Sequence, residues 1–122
     1  MEAFLTAVRT HLRTDMTAEQ IREMASYAVS VANMDIRAVV EEHPAYAGMG
    51  TTLVSAVSYG EGVVVSNVGD SRAYLINREG IQRISKDHSL VETLVERGEI
   101  TAAEARVHPQ RNYITRALGP EV

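Results

Sequence analysis

With 122 residues, 45% of them hydrophobic and 23% charged, the chain has the size and texture of one ordinary globular domain able to bury its own core. A formal charge of −4, a single lysine (Lys86) and scattered arginines exclude the clustered basic surface that nucleic acid needs. The lack of cysteine excludes disulfides, zinc ribbons and thiol nucleophiles, and no apolar run is long enough to span a membrane, so with no leader-like start the expected location is the cytoplasm.

From the N-terminus, Phe4, Leu5, Val8 and Leu12 recur at helical spacing and predict a helix over 2–13. Thr17 with Gln20 spells a capping box, which satisfies orphan N–H groups at the start of a second helix over 18–42. Its buried stripe is predicted as Ile21, Met24, Ala25, Ala28, Ala32, Ile36 and Val39, with Met24 and Met34 as flexible core filler. His43-Pro44 ends it, because proline pushes the residue before it out of the α region. Residues 1–46 are therefore expected to form an antiparallel helix pair.

Ala47-Gly48-Met49-Gly50 reads as a flexible entry to residues 47–86, an antiparallel meander of four short strands at 51–59, 63–68, 72–76 and 81–84. Gly60-Glu61-Gly62 is the first turn, its glycines expected to supply positive φ, and Asn77-Arg78-Glu79-Gly80 is the last. With the helix pair behind one face, the fold class is α+β. Between the second and third strands, Asp70 falls at a strand tip in Gly69-Asp70-Ser71. There its carboxylate can meet a cation or merely form the turn by accepting a nearby backbone N–H.

Residues 87–112 change texture. Ser89 with Glu92 opens a helix over 90–97 that Gly98 closes, and Thr101 with Glu104 opens a shorter one. This polar insert is expected to be a flap on the rim, with Asp87 and His88 at its hinge rather than acting as an acid–base pair. Capping accounts for Ser89 and Thr101, whereas His108 and Arg111 in the loop His108-Pro109-Gln110-Arg111 stay open as groups that could meet a phosphate. Residues 113–122 are expected to return as a strand and turn outward at Gly119-Pro120. The four histidines (His11, His43, His88, His108) lack metal-binding spacing, which argues against zinc.

Five blocks, in this order, resemble the bacterial metal-dependent protein serine/threonine phosphatases of the type 2C class. They are Gly48-Met49-Gly50-Thr51-Thr52, Asn67 through Leu75, Lys86-Asp87-His88-Ser89, Leu94 through Thr101, and His108-Pro109-Gln110-Arg111 continuing from Ile114 to Gly119. The resemblance implies a four-layer α-β-β-α sandwich of two antiparallel sheets, hydrolysis of phosphoserine and phosphothreonine in proteins, and Mn²⁺ or Mg²⁺ as the cofactor. It also implies a phosphoprotein substrate, an opposing serine/threonine kinase and a gating role for the flap. Asp70 matches the family aspartate that binds an accessory third metal, and its usual late partner has no counterpart here.

The chain departs from the family pattern at the main metal centre. Its only aspartates are Asp15, Asp35, Asp70 and Asp87, and no Asp-Gly pair occurs anywhere. The expectation is a central fragment of a phosphatase domain with no catalytic residue of its own, inactive alone and binding metal weakly at Asp70. The alternative is a non-catalytic interaction or regulatory module that keeps the fold. Exposed sheet edges are further expected to drive self-association.

Overall fold

The computed structural model describes residues 1–120. Helix α1 (Glu2–His11) and helix α2 (Ala18–Glu42) pack together, and α2 lies on a hairpin of strands β1 (Leu53–Tyr59) and β2 (Gly62–Val68). A second hairpin pairs β3 (Tyr74–Asn77) with β4 (Gly80–Arg83), and two short helices follow, α3 (Leu90–Glu96) and α4 (Ala102–Val107). A single 3₁₀ turn, Pro44–Tyr46, follows α2. The class is α+β, and no described helix is long and apolar enough to cross a membrane.

Thr17 makes the complete capping box: its hydroxyl accepts from the Gln20 N–H at 3.2 Å while the Gln20 side chain accepts from the Thr17 N–H at 2.9 Å. Behind that start the buried stripe passes from Ile21 and Met24 to Ala25, Ala28 and Ala32, small residues that let neighbouring elements approach closely. Phe4, Ala7, Ala28, Ala32 and Leu118 form one buried cluster; Ile21, Met24 and Val64 form a second. Ile36 is half-buried and Val39 is exposed, so the stripe fades beyond Ala32. Met34 is not core filler: it is 68% exposed, because it lies off the Ala28–Ala32 face of the helix.

Residues 47–86 do not form one meander. Strands β1 and β2 pair from Leu53↔Val68 to Tyr59↔Gly62, β3 and β4 pair from Tyr74↔Arg83 to Asn77↔Gly80, and these are two separate sheets. The physical reason lies at the end of β2, where the Gly69 backbone hydrogen-bonds to His88. Chain that has already paired there does not fold back beside β2. The first turn also differs from expectation, since neither Gly60 nor Gly62 is among the positive-φ glycines. Gly62 instead sits in the ladder, where a Cβ would come within 3.1 Å of the Tyr59 hydroxyl. The second turn is closed by Asn77, whose side chain accepts from the Glu79 N–H at 2.9 Å.

No returning strand forms over 113–120, and residues 121 and 122 of that expected segment lie outside the described residues. Two isolated bridges replace it, Thr51↔Leu118 and Ser89↔Ile114. Nor does the chain turn outward at Gly119-Pro120. Gly119 is buried and Pro120 half-buried, folded onto the Met49–Gly50 backbone. The Gly119 N–H donates to the Asn33 side-chain oxygen at 2.8 Å, which fastens this end of the chain to α2.

Candidate functional site

The turn at residues 69–71 and the start of the flap form a dense polar cluster. Gly69 is buried in the left-handed region (φ 108°), and a Cβ there would run into the Thr52 side chain. Only glycine suits that place, which ties the turn closely to the approach of β1. Ser71 and Thr52 share a hydroxyl–hydroxyl hydrogen bond of 2.7 Å across the same contact. Asp70 follows Gly69 and is exposed at the tip, as the sequence predicts.

Behind the tip, Arg72 grips Asp87. Its Nε donates to both carboxylate oxygens at 3.0 Å, and Nη2 donates to Oδ2 at 2.7 Å. These bonds hold the guanidinium more firmly protonated than usual, and the bond from Nη1 to the Tyr74 hydroxyl adds to the effect. Arg83 approaches the same carboxylate at 3.7 Å and reaches Glu92 of α3 at 3.1 Å, while Lys86 pairs with Glu96 at 2.7 Å. Through these pairs the first flap helix is held to the end of the second hairpin.

His88 stands at the hinge. Its Nδ1 accepts from the Gly69 N–H at 3.0 Å, and its own backbone N–H donates to the Gly69 carbonyl at 2.9 Å. Burial, then the nearby charges of Arg116 and Lys86, push its pKa below the ordinary histidine value, against a smaller opposing pull from Asp87. Asn67 completes the junction, donating to the Lys86 carbonyl at 2.8 Å and to the Gly69 carbonyl at 3.2 Å.

The flap caps are one-sided. The Ser89 hydroxyl accepts from the Glu92 N–H, but the Glu92 carboxylate goes to Arg83 instead of closing a box. Thr101 accepts from the Glu104 N–H at 3.1 Å, and its hydroxyl donates to the Glu104 carboxylate at 3.1 Å. At the end of α3 the Gly98 and Glu99 N–H groups return to the Val95 and Leu94 carbonyls, a Schellman closure. His108 is half-buried and Arg111 exposed, and their side chains bond within their own loop: His108 Nδ1 accepts from the Gln110 N–H, and Arg111 Nη1 donates to the His108 carbonyl.

Among the described residues, no group of three or more histidine, aspartate or glutamate side chains is placed to hold a metal ion. Asp70 offers one carboxylate, which is too little charge and too few oxygens for a rigid divalent site. The residues present therefore do not fit a paired-metal centre, and no catalytic step is assigned to them. Sequence reasoning places Asp87 and His88 at the hinge but misses the Arg72–Asp87 pair and the bond from Gly69 to the imidazole. Adjacent placement of Gly69 and Arg72 in one block, and of Asp87 and His88 in another, is the one available signal.

The family model for protein phosphatase 2C matches residues 6–120. The serine/threonine phosphatase stp of Listeria innocua is 41% identical over 106 residues, which cover 87% of this chain and 42% of the relative. The crystal structure of the serine/threonine phosphatase Stp1 from Staphylococcus aureus superposes with a TM-score of 0.84 at 38% identity, over 97% of this chain and 47% of that one. The catalytic domain of the serine threonine protein phosphatase PstP, solved in complex with two manganese ions, gives a TM-score of 0.73 at 31% identity, over 99% of this chain and 50% of that one. The chain thus spans about half the length of the proteins it matches.

Proposed function

Because the chain belongs to the protein phosphatase 2C family, we propose that it is the central portion of a metal-dependent protein serine/threonine phosphatase. The substrate is a phosphoprotein, the setting is cytoplasmic, and the activity opposes a serine/threonine kinase. The observation that carries this reading is the span of the match, from residue 6 to residue 120 across all five motif blocks. Such enzymes use paired cations to activate water and to neutralise charge on the transferred phosphoryl group. Here the metal is Mn²⁺ or Mg²⁺, and its main ligands belong to the rest of the domain.

Within this portion Asp70 is the accessory metal ligand of the assembled site, and His108 and Arg111 line the gate through which a phosphorylated segment enters. The exposed apolar strands β3 and β4 cover themselves by pairing with a second copy when the rest of the domain is absent. A second reading is a non-catalytic interaction module with the phosphatase fold. Both readings account for the lack of a metal-binding cluster among the described residues.

A phosphothreonine peptide assay in Mn²⁺ separates these readings. The 122-residue chain is expected to show no turnover, while a longer protein carrying the same residues with the flanking family motifs turns over and is stopped by a chelator. Turnover by the short chain alone sinks the claim that its residues are insufficient. An inert longer protein that still binds phosphopeptide favours the module.

A further inference from the structure

The contact between Gly69 and His88 is a pair of hydrogen bonds between the same two residues, 19 positions apart in sequence. One is backbone to backbone and is indifferent to the side chain at 88. The other needs a lone pair on Nδ1, which exists only in the neutral imidazole with its proton on Nε2. Asparagine can present an acceptor oxygen in much the same place; leucine and the imidazolium cannot.

His88 is also the branch point of the local backbone. Its carbonyl accepts from the Thr115 N–H at 2.8 Å, and the next residue, Ser89, is buried at the mouth of α3. On one side it therefore holds the turn that carries Asp70, and on the other the 113–118 segment and the flap. The charged groups facing it are Arg116 and Lys86, which disfavour a second proton, and Asp87, which favours it but is already held by Arg72 and Arg83.

We propose that His88 is a positioning residue whose neutral imidazole, accepting at Nδ1, locks the Asp70-bearing turn to the base of the flap. With that nitrogen free the two elements keep one fixed relationship; with it protonated the Gly69 N–H faces a second N–H donor in place of an acceptor and the lock opens. The importance of the lock to catalysis rests on the phosphatase reading above, but the lock itself does not.

The test is amide hydrogen exchange at Gly69, read by NMR on the whole chain and corrected for intrinsic rates, between about pH 7 and the lower pH at which the same spectra show the His88 ring protonated. The wild-type chain is expected to protect Gly69 at the upper pH and to lose about tenfold of that protection as His88 titrates. His88→Asn is expected to keep the protection at both pH values, and His88→Leu to lack it at both. Should His88→Leu fail to fold, the wild-type profile against His88→Asn decides the matter. Unchanged Gly69 protection while the His88 ring nitrogens visibly titrate, or loss of protection in His88→Asn, overturns the lock. These outcomes do not depend on turnover by the longer protein, so failure of the phosphatase reading and failure of the lock are seen separately.

Discussion

The guanidinium of Arg72 closes on the buried carboxylate of Asp87 with three hydrogen bonds, joining the strand tip to the flap hinge across 15 residues. Asp87 is 7% exposed and Arg72 44%, so the pair is asymmetric: Arg72 could turn to water alone, but Asp87 could not. Removing the arginine strands the buried charge, and the remaining cation, Arg83, stands at 3.7 Å. Arg72→Ala is therefore expected to cost about 2–3 kcal/mol, at and below the low end of the range for a broken buried pair because one partner is half in water. Arg72→Lys is expected to recover less than half of that, since an ammonium cannot reproduce the planar fork. Urea unfolding of the three proteins checks this, and an Arg72→Ala midpoint equal to wild type sinks it.

Gly119 gives a second, independent prediction. Its φ is 105°, and a Cβ there would lie 2.5 Å from the Met49 carbonyl oxygen and 2.8 Å from the Ile36 side chain. Alanine must strain the backbone and also push apart the contact between the C-terminal segment and the Met49–Gly50 backbone. Gly119→Ala is expected to cost about 2–4 kcal/mol in thermal or urea unfolding. The control is Gly48, also left-handed (φ 84°) but with open space around it; Gly48→Ala should cost only about 1 kcal/mol, from the backbone alone. Equal losses at the two sites would mean that the close packing at Gly119 contributes nothing.

The third prediction concerns association. Strands β3 and β4 are four residues each, and Ile76 and Ile81 face one another as cross-strand partners while 72% and 66% exposed. A two-stranded hairpin of that length is marginal alone, and its free edges invite another copy. Sedimentation over a range of concentrations is expected to show a dimer or larger species, weakened about tenfold or more by Ile76→Lys combined with Ile81→Glu. A single monomer boundary at every concentration would refute it.

The features legible in the amino-acid order are local ones. The capping box at Thr17 and Gln20, the stop at His43-Pro44, the Asn77 turn and the Schellman closure at Gly98 each depend on residues a few positions apart, so their signals sit together in the sequence. Small residues at helical spacing likewise mark the buried face of α2 as far as Ala32. Met34 departs from its expected place because its residue type fits a core, while its angle around the helix points to water.

The site depends on contacts of another kind. Gly69 with His88, Arg72 with Asp87, and Gly119 with Asn33 join residues 19, 15 and 86 positions apart. Hydrophobic period and turn chemistry carry no information about which distant backbones meet, since both describe a segment's own preferences. Here that choice follows from close packing at bare glycine backbones, which lets the turn settle on Thr52 and the C-terminal segment settle on Met49 and Gly50. Once those surfaces meet, the backbone groups of Gly69 must find partners, and pairing with His88 splits the expected meander into two hairpins. Composition and local pattern thus determined the helices with their caps and the four strands, while buried polar groups that must be satisfied at long range decided how those elements join around Asp70.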